Sequence, residues 1–174
     1  MQLVKTLFRS FFNMCMFRSK PQDLPYSLDL LSLLLFFYTA LNIFLATTTV
    51  PFLLAAQSAL TETALIIFLS YLILKVNNKS NRWLKTLMAI TGTGMVLSIL
   101  ALPLFLLIFI INLGDFVHTL ALLVYMCLLI WNVAIVGNIF RYSLDTGVGY
   151  GMIYAIIYFL LSTTIIRVLI PLEQ

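Results

Sequence analysis

Five apolar runs, at residues 30–50, 57–76, 87–111, 117–139 and 150–170, dominate the chain, and each is long enough to cross a bilayer as a helix. In hydrocarbon every backbone N–H and C=O must be bonded internally, which a helix achieves and an open strand does not. The sequence therefore predicts an all-α fold, a polytopic transmembrane helix bundle of five spans. Composition points the same way. Of 174 residues, 63% are hydrophobic and 9% charged, whereas soluble domains hold ~45–50% and ~25%. The 10 Lys+Arg and 6 Asp+Glu residues are too few to cover a water-soluble body. The expected layout is an amphipathic interfacial helix at 1–20 followed by a five-span membrane domain at 21–174.

Charge predicts the orientation. Lys5, Arg9, Arg18 and Lys20 precede the first run, Lys75, Lys79, Arg82 and Lys85 lie between the second and third, and Arg141 follows the fourth. An odd number of spans puts these three clusters on one side and leaves only Arg167 towards the other. By the preference of Lys and Arg for cytoplasmic loops, the amino terminus is expected in the cytoplasm and the carboxy terminus outside it. The clustering also argues against nucleic acid as a partner, since the basic residues mark span ends rather than a binding face.

The first residues have a pattern of their own. Leu3, Val4, Leu7, Phe8, Phe11, Phe12 and Cys15 recur at helical spacing, with Gln2, Lys5, Thr6, Arg9, Ser10 and Asn13 on the other face. This predicts a helix in the bilayer interface, with Phe8, Phe11 and Phe12 in the lipid and Lys5 and Arg9 towards anionic headgroups. It lacks the apolar core and cleavage site of a secretory signal and is expected to be retained. A mitochondrial transit peptide, or a helix packed on the bundle's inner face, are the other readings of the pattern.

Motifs that carry chemistry are scarce. Thr146-Gly147-Val148-Gly149-Tyr150-Gly151 is reminiscent of a potassium-channel filter, but it has an extra glycine, lacks a preceding pore helix and falls on the cytoplasmic side. Gly147, Gly151 and Ala155 instead form a small-residue stripe that would let a neighbouring helix approach, and Gly92, Gly94 and Ser98 a weaker one. Asn112-Leu-Gly-Asp115 is one glycine short of an intramembrane aspartyl-protease element and has no second aspartate to act with it. Cys15 and Cys127 have no metal-ligand spacing, and His118 has only Asp115 nearby. No catalytic residue, metal or cofactor is expected, and no enzyme.

Polar residues within the runs are more telling, because each is costly in hydrocarbon. They are Asn42, Glu62, Asn132, Asn138 and Arg167. Glu62 and Arg167 are expected near the outer ends of their spans, where Arg167 could meet Glu62 or Asp115, or each could reach the headgroups alone. The asparagines are expected to act chiefly as interhelical hydrogen-bond partners.

Asp23-Leu24-Pro25 before the first span, the stretch from Arg82 through Trp83 and Lys85 to Gly92 and Gly94, and five closely spaced runs ending near the carboxy terminus together resemble the Yip (Ypt-interacting protein) family and its bacterial relatives. The likeness covers about residues 20 to 172. It implies a non-enzymatic protein of a bacterial inner membrane acting through helix and lipid contacts, as a structural or interaction component with a membrane-protein partner or a second copy of itself. The alternative is a small transporter or channel component with Asn42, Glu62, Asn132 and Arg167 along a pathway. A closed interior of Leu, Phe and small residues would favour the first, and a polar cavity reaching the midplane the second.

Overall fold

The computed structural model describes residues 2–109 and 115–169, with side chains described for 7–108 and 116–168. Six helices account for nearly all of them: α1 (Gln2–Cys15), α2 (Leu28–Ala46), α3 (Phe52–Val76), α4 (Trp83–Phe109), α5 (Asp115–Leu144) and α6 (Val148–Leu169). The last five are long and apolar enough to cross a membrane. The chain is thus an all-helical integral membrane protein of five spans.

Local chemistry sets the helix ends. Ser27 caps α2, its hydroxyl accepting from the Leu30 N–H at 3.2 Å, and Asp29 in the first turn suits the positive end of the helix dipole. The span closes at Ala46, short of the expected Val50. Thr47, Thr48 and Thr49 each donate a side-chain hydroxyl to a carbonyl three residues back, Phe44, Leu45 and Ala46, which satisfies carbonyls that a helix end leaves open. Pro51 then disfavours helix at Val50 and serves as the N-cap of α3. As a result α3 begins five residues earlier than the sequence predicts, at Phe52, and Glu62 sits roughly 15 Å along it at ~1.5 Å per residue. Glu62 therefore lies near the middle of its helix and not near the outer end. Three helices, α1, α3 and α5, close with a left-handed residue, Phe17 (φ 60), Asn78 (φ 56) and Asp145 (φ 55). In each, the next residue's N–H returns to a carbonyl five back, as for Lys79 to Leu74 at 2.8 Å.

The helices pack in the cyclic order α2, α3, α6, α5, α4, with α1 laid across α4. Packing is uneven along their length. The largest fully buried apolar side chains, Phe140, Leu24, Leu74, Leu87, Met88 and Ile135, belong to the half of the bundle that carries the basic loops. Helices α5 and α6 meet there at Gly137 and Gly151. A Cβ at Gly151 would strike the Gly137 carbonyl and come within 2.8 Å of the Arg141 Cβ. Gly151 and Ala155 thus form the close approach that the sequence suggests. Gly147 does not, since it precedes α6 and open space surrounds it.

Helix α1 departs from the expected interfacial placement in one respect. Phe11, expected in lipid, is buried at 5% exposure with its ring over Gly92, and Met14 and Cys15 are buried beside it. Phe8 and Phe12 remain exposed, as does Arg9, while the Lys5 side chain lies outside the described residues. The physical reason is Gly92, which leaves a space on α4 that an aromatic ring fills better than a lipid chain does. The Trp131 indole N–H donates to the Cys15 carbonyl at 2.9 Å, and Phe17 stacks on Trp131. One turn further along α1, the Cys15 thiol donates to the Thr93 carbonyl at 3.9 Å, so the helix keeps its contact with α4.

Candidate functional site

The half of the bundle away from the basic loops holds an open-mouthed cavity of about 350 Å³ between α2, α3, α4 and α5. Each helix lines it with one face. Tyr38, Asn42 and Thr49 come from α2 and its turn, Ser58 and Glu62 from α3, Gly94, Ser98 and Phe105 from α4, and Tyr125 and Asn132 from α5. Spacings of four, seven and eleven residues recur, as one helical stripe requires. The volume has room for roughly ten water-sized molecules at ~30 Å³ each and falls within the range of ligand pockets, ~300–1,000 Å³.

Glu62 is the ionisable carboxyl group of this site among the described residues. The Tyr38 hydroxyl donates to its Oε1 at 2.9 Å. Tyr38 can reach because Gly94 lacks a side chain; a Cβ there would stand 2.9 Å from the Tyr38 ring. Next to this pair, Thr39 and Thr63 join α2 to α3 through hydroxyls 2.8 Å apart. A carboxylate at membrane depth costs about 3 kcal/mol or more, and a hydrogen bond to a charged group returns about 1.5–3 kcal/mol. Tyr38 alone therefore leaves Glu62 under-compensated. Among the described residues no Lys, Arg or His forms an ion pair with it. The two asparagines complete the polar lining. Asn42 donates to the Tyr38 carbonyl at 3.0 Å, which leaves its own carbonyl oxygen unspent, and the Asn132 amide has no hydrogen bond within the described residues.

Three of the five intramembrane polar residues singled out in the sequence thus converge: Asn42, Glu62 and Asn132. Two do not. Asn138 is half-buried in the packed half of α5, and Arg167 is exposed on the last turn of α6 without an ion pair among the described residues. Of the alternatives for Glu62, a meeting with Arg167 or a reach to the headgroups, the structure shows neither: it bonds Tyr38, because it lies far below the end of α3 while Arg167 lies at the end of α6. The Asp115 side chain lies outside the described residues. Ser98, read in the sequence as part of a packing stripe, lines the cavity. Tyr38 and Tyr125 line the site as well, though hydropathy alone does not mark them; the signal lies in the spacing, since Tyr38 precedes Asn42 by one helical turn and Tyr125 precedes Asn132 by two.

The opposite end of the bundle is tied shut by polar contacts. Arg82 and Lys79 reach the Asp145 carboxylate at 2.7 and 2.9 Å, and their hydrogen bonds, Arg82 foremost, hold its carboxyl down at about 2. Gln22 donates to the Tyr142 carbonyl at 2.6 Å, and Lys85 to the Gln22 carbonyl at 2.8 Å. Thr86 bonds Ser143 inside the core at 2.8 Å. The segment before α2, the α3–α4 connection and the α5–α6 connection are thereby joined at one end of the bundle. The molecule is a cup, open-packed in one half and closed in the other. No protein-family model, curated protein or solved structure matches the chain.

Proposed function

We propose that this protein takes a small polar solute into the cavity between α2, α3, α4 and α5 and acts as a small transporter or channel component. The observation that carries the proposal is the convergence of Glu62, Asn42 and Asn132, from three different helices, on one space near the middle of the bundle. Groups so costly in hydrocarbon are retained where they meet a pathway or a ligand. Placed by the preference of basic loops for the cytoplasm, the open half faces the outer side and the packed half closes the inner one. That is an outward-facing arrangement in which a solute reaches the midplane and stops at the layer of Leu87, Met88, Ile135 and Phe140. Proteoliposome swelling in glycerol, urea and tetramethylammonium chloride tests it. At least one solute is expected to enter faster than into protein-free vesicles, and Asn132→Leu to slow that entry about fivefold or more. Equal rates with and without protein for all three would end the proposal.

A structural or interaction role, together with the kinship to Yip-type proteins, is the second reading. It draws on the Asp23-Leu24-Pro25 element, in which Leu24 is buried against the bundle and the Asp23 carboxylate accepts from the Lys20 N–H at 3.0 Å. It also draws on the broad apolar face of α5 formed by Leu123, Met126 and Ile130. Co-purification of one defined membrane partner with wild-type protein, and an absence of solute entry, would favour it.

A further inference from the structure

We propose that the cavity's occupant is a small organic cation, with its ammonium against the Glu62 carboxylate and its apolar part against Phe105 and Tyr125, and that it exchanges there with a proton. The inference rests on the solute-binding reading above and adds the chemical class of the solute. Charge is the first argument. Among the described residues the lining holds one carboxylate and no Lys, Arg or His, so no described side chain offers it a counter-ion and the cavity favours an occupant that brings a positive charge. The groups that face Glu62 from the packed elements are neutral phenols: Tyr38 on α2 at hydrogen-bond distance, with Tyr125 on α5 and Tyr158 on α6 within electrostatic reach. From α4 come Gly94, Leu97, Ser98, Ala101 and Phe105, none of them titratable.

The walls argue for an organic cation over a metal ion. Hard cations such as calcium take about 6–8 oxygen ligands in a compact cage. Here the side-chain carbonyl and carboxylate oxygens come from three residues, while Leu45, Ala59, Leu97 and Leu128 make much of the remaining surface apolar. Phe105 and Tyr125 stand edge to face with ring centroids 5.4 Å apart, a pairing that offers aromatic surface to an ammonium and its alkyl groups. The carbonyl oxygens of Asn42 and Asn132 can accept from a hydroxyl or N–H on the same molecule.

Exchange with a proton follows from the Glu62 carboxyl group. When it carries a proton it is neutral and has no pull on a cation. As the cation arrives, the O–H bond breaks, the proton passes to water and the electron pair stays on the carboxylate. One positive charge has replaced another, and departure reverses the step.

Isothermal titration of the purified full-length chain in detergent tests this, with tetramethylammonium, choline and benzyltrimethylammonium chlorides as probes. The neutral carbon isostere of choline, 3,3-dimethylbutan-1-ol, is the control. At least one cation is expected to bind, with choline at least about tenfold tighter than its isostere. Affinity is expected to weaken by up to about tenfold per pH unit as acid protonates the carboxyl, and Glu62→Gln to lose about tenfold or more. Should Glu62→Gln not fold, the isostere comparison and the pH series on wild-type protein decide the matter. The proposal is overturned if none of the three cations binds, if the isostere binds as tightly as choline, if affinity is flat from about pH 5 to about pH 9, or if sodium chloride displaces the probe at equal concentration. Cation binding without solute entry into vesicles would keep this inference and remove the transport reading; entry of a neutral solute without cation binding would do the reverse.

Discussion

Gly92, Gly94, Gly137 and Gly151 each meet a different obstacle, and the obstacle decides what a methyl group would cost. At Gly151 the added carbon strikes a backbone carbonyl, that of Gly137, which cannot move without separating α5 from α6. At Gly92 it strikes the end of the Phe11 side chain, which can swing away with α1. Gly147 faces open space. Gly151→Ala is therefore expected to destabilise the folded protein by about 1–3 kcal/mol and Gly147→Ala to stay within about 0.5 kcal/mol, with Gly92→Ala between them. Thermal unfolding in one detergent, followed by circular dichroism, measures all three. A spacing of four residues made Gly147 and Gly151 look equivalent in sequence. They differ because α6 begins between them, at Val148, and a helix stripe needs a helix. Gly137, the actual partner of Gly151, has no small residue four positions away that would have drawn attention to it.

Helix α1 is the element whose character the sequence left open. Its periodic apolar face was legible, but lipid and a groove on α4 are both apolar, and hydrophobicity does not choose between them. Shape does, through the gap above Gly92 that Phe11 fills. The consequence is visible at Cys15, which is buried against Thr93 with its thiol pushed up to about 11 by loss of solvent. A thiol whose value rises from 9.0 to about 11 binds its proton more tightly in the docked state. Its contribution to docking is complete below pH 9.0 and is lost as pH rises through about 11. At pH 8, N-ethylmaleimide in detergent is expected to modify the exposed Cys127 and to spare Cys15. Phe11→Ala, which empties the space above Gly92, is expected to make Cys15 react at a rate approaching that of Cys127. Modification of Cys15 as fast as Cys127 in the wild-type protein would mean that α1 does not stay docked.

Across the whole molecule, the two halves of the bundle differ in what they enclose, and that difference sets the sidedness of everything else. Thr49 stands in the turn at the open end and Ser80 in the connection at the basic end. With Cys127 replaced by serine and Cys15 protected by burial, Thr49→Cys and Ser80→Cys in sealed, right-side-out vesicles are expected to respond oppositely to a membrane-impermeant thiol reagent. Thr49→Cys should label at least about tenfold faster. Asn132→Cys should label from the same side as Thr49→Cys, because the cavity that it lines reaches that end. Labelling of both loop cysteines from one face would break the five-span arrangement, and labelling of Asn132→Cys only from the basic side would invert the cup.

Membrane residence, helix content and the number of crossings were written in the sequence, because a backbone in hydrocarbon must satisfy its own hydrogen bonds and a run of about 20 apolar residues can do so in only one way. The convergence of Asn42, Glu62 and Asn132 was not. Each could be seen as an expense, but whether three such residues on different helices share a space depends on which faces turn inwards and at what height the helices stand. Those heights hinge on details with almost no hydropathy signal: three threonine hydroxyls that stop α2 early, a proline that starts α3 five residues sooner and so lowers Glu62 towards the middle, and a glycine that lets Tyr38 cross to it. Periodicity acts along one helix at a time. Contact between helices is decided by their mutual packing, and only there did a set of isolated polar residues become a site.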